Sequence, residues 1–376
     1  MKVLSLFSGI GAFEKALDNI GIPYELVAFC EIDKYASKSY AAIHGVPESM
    51  NIGDITKVDE KKLPKDIDLI TYGFPCQDIS LAGRQKGLFN ADGTQTRSGL
   101  FFEALRIIEE TQPRVAIAEN VKNLTSKKFA LQFKIVLDSL YAAGYNNYWK
   151  VLNAKDYGIP QNRERVFIVS IRKDIDNGCF KFPEAFPLEL RLKDMLEDAV
   201  DEKFYLSNGE IKYMHRDSLG NYSNRWTYAN HSSAEKSVCL TANIHRGVPY
   251  NVLIEDEPSV IQIGNCCPTK TRDNPNQGRI YDTGGLSPAL NCMGGGNRQP
   301  FVKTDMVAEP NNLRIRKLTP KECFRLMGFE DSDFEKAAAV NSNTQLYKQA
   351  GNSIVVPVVQ GIIRGLLDCG ALEGVN

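Results

Sequence analysis

Cys76 is the residue whose type and position most favour covalent chemistry. It closes the turn Gly73-Phe74-Pro75-Cys76, which directly follows the apolar run 67–72, and so it lies at the carboxyl end of a predicted buried strand. Open α/β sheets bind their ligands at that end. Pro75 fixes the turn and Gly73 permits its bend, which would hold the thiol in place. We predict a nucleophilic cysteine; the alternative is an inert core cysteine.

Two further sites with charged side chains adjoin predicted strands: Glu119, and the pair Arg163 and Arg165. Glu119 begins the sequence Glu-Asn-Val after an apolar run, where a carboxylate can bond the polar edge of a ring and, when desolvated, hold or deliver a proton. Arg163 and Arg165 are spaced to point the same way from an extended segment, which suits an anionic or carbonyl-bearing ligand. A helix N-terminus and a surface ion pair are the respective alternatives.

A glycine turn indicates nucleoside binding. Gly9 and Gly11 follow the first predicted strand and would let the backbone approach a ligand, while Glu31 ends the second strand, where an acidic side chain binds ribose hydroxyls. Asp54, placed near the end of a third strand, suits an adenine amino group or simply a turn. Glu14 stands where a dinucleotide fingerprint has its third glycine, which argues against a nicotinamide dehydrogenase.

These residues need an alternating scaffold to bring them together. Strand patterns cover 3–7, 25–30, 68–72, 115–118 and 166–171, and helix patterns cover 11–20, 34–44, 100–111 and 129–143. Strand followed by helix, repeated, predicts an α/β fold with a parallel sheet covered on both faces.

Beyond residue 182 the chain becomes rich in turns with short β-prone pieces, and apolar character returns near the carboxyl end. We predict a discontinuous catalytic domain, residues 1–180 and 345–376. A smaller, mostly β or irregular domain, 181–344, is inserted into it and includes a hinge at 313–344.

The composition is that of a globular protein, and its net charge gives no electrostatic indication of nucleic-acid binding. The chain has 376 residues, 43% of them hydrophobic, and a net charge of -1. Nine cysteines without paired spacing predict a reducing cytoplasm, and four histidines without a Cys-x-x-Cys motif predict no metal site. We expect no apolar run of this sequence to reach the length of a membrane span.

In order along the chain, the motifs resemble those of the DNA (cytosine-5) methyltransferases of bacterial and phage type. The matching segments are Phe7 to Gly11, Glu31, Asp54, Pro75 with Cys76, Glu119 to Val121, Gln161 to Arg165, Arg316 to Phe329 and Gln349 to Val358. The resemblance implies a Rossmann-like fold that binds S-adenosylmethionine, with a target recognition domain. It also implies that the middle of the chain is the variable part.

The resemblance assigns roles to the residues singled out above. Cys76 corresponds to the thiolate that adds to carbon 6 of cytosine, Glu119 to the glutamate at ring nitrogen 3 and the exocyclic amine, and Arg165 to the contact with the carbonyl at position 2. Arg163 corresponds to its supporting partner. The residues matching the cofactor wall are Phe7, Gly9, Gly11, Glu31, Ile32, Asp54, Ile55, Pro75 and Leu100, with Asn352 and Ser353 closing the pocket from the far end.

Duplex DNA is the substrate that the resemblance implies, and the target base must be extruded to react. The segment 77–99 resembles the loop that closes over DNA, with Ser80, Arg84 and Arg97 as candidate phosphate or loop contacts. Basic side chains outnumber acidic ones from Lys270 to Arg325, which favours phosphate contact. Base-reading candidates are Asn291, Asn297, Arg298 and Gln299.

We expect a cytoplasmic monomer without membrane association, belonging to or derived from a restriction-modification system or a phage, with any cognate endonuclease acting separately. An RNA (tRNA) cytosine-5 methyltransferase is one alternative, although the Cys-Phe-Thr tripeptide usual for those enzymes is absent. A catalytically inactive DNA-binding relative is the other. The sequence does not give the target site.

Overall fold

The chain divides into two compact units. The computed structural model describes residues 1–76, 78–79, 87–90, 92, 94, 96–205, 260, 262–265, 279–283, 286–288, 290, 301–304 and 314–372. The first unit comprises 1–190, 289–295 and 319–376, and the second 191–288 and 296–318. The predicted inserted domain, 181–344, is therefore longer than the second unit, because 181–190, 289–295 and 319–344 lie in the first. The function of each unit stays a prediction.

The first unit is built on a six-stranded sheet. Its strands are β1 (Lys2–Leu6), β2 (Glu25–Cys30), β3 (Leu69–Tyr72), β4 (Val115–Val121), β5 (Tyr145–Asn153) and β7 (Glu164–Arg172), with the two-residue β6 (Gln161–Asn162) just before β7. Their spatial order is β2-β1-β3-β4-β7-β5. β1 pairs in parallel with β2 and β3, and β3 with β4, whereas β7 is antiparallel to β4 and β5. The predicted α/β class with a mostly parallel sheet is confirmed.

Eight described helices connect or cover these strands, and the first four begin and end close to the predicted bounds. They are α1 (Ala12–Asn19), α2 (Lys34–His44), α3 (Phe101–Thr111), α4 (Ala130–Ala142), α5 (Pro320–Arg325), α6 (Asp331–Ala338), α7 (Asn343–Asn352) and α8 (Val356–Asp368). Single 3₁₀ turns cover Glu48–Met50, Ile55–Lys57, Glu60–Lys62, Arg97–Leu100, Lys122–Thr125, Lys127–Phe129 and Ala154–Tyr157. α2 shows why its bounds were readable: Asp33 accepts the Tyr35 amide at 2.9 Å, and Gly45 ends the helix at φ 65°.

Two local predictions were wrong and one strand was missed. β5 was not predicted, because this edge strand is partly exposed and carries polar residues such as Asn146, Asn147 and Lys150. Asp54 does not end a strand; it caps the turn Ile55–Lys57. The strand predicted over 115–118 continues to Val121, so Glu119 lies inside β4 rather than after it, and the alternative of a helix N-terminus at Glu119 does not hold.

The buried core lies around β1, β3 and β4. Leu4, Ile70 and Ala116, from three adjacent strands, are fully buried, and side chains of α3 and α4 such as Ile107 and Val136 pack into the same cluster. Burying a leucine, isoleucine or valine side chain of this cluster stabilises the fold by about 1.5–3 kcal/mol. The carboxyl-terminal part of the chain belongs to this unit, because α8 packs against α1.

The second unit is the smaller one, and its described residues after 205 are mostly in short β-strands. Its strands are β8 (Gln262–Asn265), β9 (Arg279–Tyr281), β10 (Ser287–Pro288), β11 (Phe301–Thr304) and β12 (Arg314–Lys317), and its 3₁₀ turns are Leu192–Met195 and Glu202–Phe204. Four of these strands form a sheet in the order β12-β11-β9-β8, in which β11 and β9 are parallel and the outer pairs antiparallel. This agrees with the smaller, mostly β domain predicted from turn-rich sequence.

One described stretch, Asn343–Asp368, is long and apolar enough to cross a membrane, although none was expected. In the structure it is two helices, α7 and α8, interrupted at 353–355. Val359, Ile362 and Ile363 of α8 are buried in the first unit, and buried core helices of this kind pass the same test.

Candidate active site

The nucleophile segment, the described residues of 73–79, leaves β3 at the carboxyl edge of the parallel strands. Phe74 is buried with its ring centroid 5.6 Å from that of Phe101, which anchors the start of the segment. The Ile79 amide donates to the Cys76 carbonyl at 3.0 Å, so Cys76 begins a hydrogen-bonded turn. Cys76 itself is half-buried. The thiol is thus carried on an anchored backbone and keeps partial access to solvent.

Glu119 and Arg165 form an ion pair beside this segment. Arg165 Nε lies 2.9 Å from Glu119 Oε1, across the antiparallel pairing of β4 and β7. A Cβ built on Gly73 would lie 3.6 Å from Glu119 Oε2, which places the carboxylate against the backbone three residues before Cys76. The structure therefore brings Glu119, Arg165 and the nucleophile segment together.

Burial controls the ionisation of Glu119. Loss of hydration raises the pKa of its carboxyl group, and the positive charges of Arg165 and then Arg163 oppose that rise. A carboxyl group with a raised pKa retains a proton more readily near neutrality and can donate it to a ring nitrogen.

Arg163 has a different environment from Arg165. Its guanidinium is buried and donates to three main-chain carbonyls: Leu290 at 2.6 Å, Gly351 at 3.0 Å and Ser353 at 2.6 Å. Arg163 lies between β6 and β7, and its side chain points to the carboxyl-terminal segment, whereas Arg165 points to Glu119. The two arginines therefore do not face one ligand as a pair. Arg163 fixes the position of 351–353.

The glycine turn and Glu31 form a second polar cluster at the same edge of the sheet. Gly9 N donates to Glu31 Oε2 at 2.9 Å, and Asp33 N donates to Glu31 Oε1 at 2.8 Å. Burial raises the pKa of Glu31. Phe7 and Gly9 adopt positive φ values of 51° and 57°, so the backbone bends sharply as it leaves β1.

Ile32, adjacent to Glu31, is 75% exposed, an unusual position for an isoleucine. A carboxylate fixed by two amides beside an exposed apolar side chain provides acceptors for ribose hydroxyls and a surface for a purine ring. These acceptors and this apolar surface fit the ribose and the adenine of S-adenosylmethionine.

Asn51 links the cofactor cluster to the following loop and was missed from the sequence. Its Oδ1 accepts the Glu31 amide at 3.0 Å and the Gly53 amide at 2.9 Å, and its Nδ2 donates to the Glu31 carbonyl at 2.9 Å. Asp54 follows directly, and its Oδ1 is engaged by the amide and hydroxyl of Thr56. Hydrogen bonds from Thr56 lower the pKa of Asp54.

The remaining cofactor candidates lie in the first unit. Ile55 is buried, Leu100 is half-buried and ends the turn Arg97–Leu100, and Pro75 immediately precedes Cys76. Asn352 is exposed at the end of α7, and Ser353 is buried. A Cβ on Gly73 would lie 3.8 Å from Ile354 Cδ1, so the segment after Ser353 does reach the nucleophile segment. Contact of these residues with a cofactor stays a prediction.

Most DNA-contact candidates fall outside the described residues, namely Ser80, Arg84, Asn291, Asn297, Arg298 and Gln299. Arg97 is described: its Nε lies 3.6 Å from Asp78 Oδ2, and its side chain is 57% exposed. Its proposed phosphate contact stays a prediction.

The chain is similar to known DNA methyltransferases over nearly its whole length. The family model described as C-5 cytosine-specific DNA methylase matches residues 1–368. The orphan methyltransferase M.SPRI of Bacillus phage SPR is 34% identical, covering 98% of this chain and 97% of that protein. The type II methyltransferase M.HhaI of Haemophilus parahaemolyticus is 35% identical, covering 96% and 93%.

A solved structure shares the fold. The Entamoeba histolytica methyltransferase EhMeth superposes with a TM-score of 0.64 at 15% identity, covering 98% of each chain.

Proposed function

This chain belongs to the C-5 cytosine-specific DNA methylases, and from that membership and its site geometry we propose that it methylates cytosine in a specific duplex DNA sequence through a covalent Cys76 intermediate. The observation that carries the proposal is the Glu119 carboxylate, paired with Arg165, against the backbone that leads to Cys76. These groups correspond to the acid, the carbonyl contact and the nucleophile that the reaction requires.

The proposed chemistry begins with the thiolate. Cys76 sulfur forms a bond to carbon 6 while Glu119 supplies a proton to ring nitrogen 3, so that electron density moves to carbon 5. Arg165, at the carbonyl of position 2, stabilises the developing negative charge. Carbon 5 is thereby made nucleophilic enough to accept a methyl group.

S-adenosylmethionine, when bound, supplies the methyl group on a positively charged sulfur. We propose that Glu31 binds its ribose and that Ile32 packs against its adenine, while the glycine turn lets the protein backbone approach the ligand closely. After transfer, a base takes the carbon 5 proton, the electron pair of that C–H bond re-forms the carbon 5–carbon 6 double bond, and the Cys76 sulfur leaves as the thiolate. Ring nitrogen 3 returns its proton to Glu119, which restores the aromatic ring and both side chains. Base extrusion from the duplex is part of this proposal, because the reacting atoms are otherwise stacked.

We assign target recognition to the second unit and expect the protein to act in the cytoplasm. The relatives' names include both an orphan and a type II methyltransferase. We propose a modification role in which any endonuclease is a separate protein.

The test combines transfer and trapping. With labelled S-adenosylmethionine, duplex DNA should acquire 5-methylcytosine at one sequence, and sequencing of host DNA with and without the protein should identify the site. Duplex carrying 5-fluorocytosine should trap the protein covalently, because fluorine cannot leave as a proton does.

Cys76→Ala is the matched control: it should abolish transfer and trapping and leave cofactor binding intact. Label on RNA and never on duplex DNA would contradict the proposal.

A further inference from the structure

We infer that Asn123 is a positioning residue that fixes the nucleophile segment for thiol addition, an inference that rests on the proposed function. Asn123 Nδ2 donates to the Ile79 carbonyl at 2.5 Å. Ile79 lies three residues after Cys76 and its amide donates to the Cys76 carbonyl at 3.0 Å. The Asn123 amide therefore holds the far end of the turn that Cys76 begins.

A second carboxamide holds the other side of the cysteine. Asn120 is buried and its Nδ2 donates to the Phe74 carbonyl at 3.0 Å, while its Oδ1 accepts the Val121 amide at 2.9 Å. The Phe74 and Ile79 carbonyls are thus gripped from one continuous segment of chain. The same segment carries Glu119. The position of the Cys76 backbone is therefore fixed relative to the strand that holds the Glu119 carboxylate.

Asn123 is itself well anchored. It lies in the 3₁₀ turn Lys122–Thr125, whose Leu124 side chain is fully buried, and its carbonyl accepts the Ser126 amide at 3.0 Å. Because the turn packs against β7, its position follows the strand that supplies Arg165. A shift of Ile79 relative to this turn would rotate the Cys76 backbone and move its sulfur away from the substrate ring.

The neighbouring contacts keep the segment folded when the Asn123 bond is lost. Ile79 is fully buried, the Asp78 amide donates to Ser98 Oγ at 3.3 Å, and the Gly87 amide donates to the Asp78 carbonyl at 2.7 Å. Loss of the Asn123 donor should therefore misplace the thiol without unfolding the unit. Misplacing a reacting group by about 1 Å can slow a reaction by about 100-fold.

The test compares Asn123→Asp, which keeps the shape and removes the donor, with Asn123→Ala. Thr125→Val is the matched control, because its hydroxyl donates to the Lys122 carbonyl at 2.8 Å within the same 3₁₀ turn. For each full-length protein, we would measure the rate of covalent adduct formation with duplex containing 5-fluorocytosine, methyl transfer at saturating substrates, cofactor Kd and melting temperature.

Both Asn123 variants should slow adduct formation and kcat by about 100-fold, with cofactor Kd unchanged and the melting temperature lowered by no more than a few degrees, while Thr125→Val stays close to the unmodified protein. Adduct formation at the unmodified rate overturns the inference. So does a proportional fall of adduct rate, cofactor affinity and melting temperature, which marks a purely structural residue. If the unmodified protein forms no adduct and transfers no methyl group, the proposed function fails and this inference with it.

Discussion

The substitution Arg163→Lys tests whether Arg163 and Arg165, which the sequence predicted to point at one ligand, have different roles. Arg163 donates to the carbonyls of Leu290, Gly351 and Ser353 from a buried position. A lysine keeps the positive charge, but its compact ammonium cannot reproduce the fork that reaches three acceptors in different directions. We expect the variant to lose stability and cofactor affinity together, because Ser353 is in the segment predicted to close the cofactor pocket.

The magnitude follows from the bonds lost. If lysine retains one of the three contacts, two charge-assisted hydrogen bonds disappear, each contributing about 1.5–3 kcal/mol. We take a loss of about 4 kcal/mol in the free energy of unfolding, a large share of the roughly 5–15 kcal/mol available to a folded protein. At about 2–4 °C for each kcal/mol in a unit of this size, the melting temperature should fall by roughly 8–16 °C.

The assay is thermal unfolding followed by calorimetric titration with S-adenosylmethionine, with Arg165→Lys as the matched variant. Arg165 is more exposed than Arg163 and contacts the Glu119 carboxylate, so its replacement should lower kcat with a much smaller change in melting temperature. An Arg163→Lys protein that melts with the unmodified one and loses turnover alone would refute the positional role assigned to Arg163.

Three other predictions test separate parts of the site. Glu119→Gln should lower kcat by about 100-fold; because burial raises the pKa of Glu119, turnover of the unmodified enzyme should fall as pH rises through that pKa, and a pH profile of the variant should lack this decline. Glu31→Gln should weaken cofactor binding roughly 10- to 100-fold, by titration calorimetry, since the acceptor carboxylate is lost; an unchanged Kd would remove Glu31 from the pocket. Gly11→Ala and Gly21→Ala both place alanine at positive φ (79° and 70°), but only at position 11 does the new Cβ collide with His44, so chemical denaturation should find Gly11→Ala less stable by about 2 kcal/mol, and equal losses would contradict the collision.

Local sequence signals predicted elements well and long-range contacts poorly. The bounds of α2 followed from a cap and a terminating glycine, both short-range features, and the return of the carboxyl-terminal helix to the first domain followed from its apolar pattern. β5 escaped because its stability comes from pairing with β7 rather than from its own composition.

The same distinction applies to the site. Position at the ends of predicted strands and the family resemblance both singled out Cys76 and Glu119, yet neither indicated that Asn51 and Asn123 bond backbone atoms far from them in the sequence. The opposed surroundings of Arg163 and Arg165 depend on where residue 353 lies, which spacing along one strand cannot reveal.

The grip of Arg163 on Gly351 and Ser353 has a consequence for biosynthesis. Translation produces the glycine turn, the thiol, Glu119 and Arg163 early, but the Gly351 and Ser353 carbonyls that Arg163 binds arrive only at the end of α7. Until residues 351–353 have been made, the buried guanidinium of Arg163 lacks two of its three carbonyl acceptors, so this part of the first unit cannot complete its folding before that segment is translated.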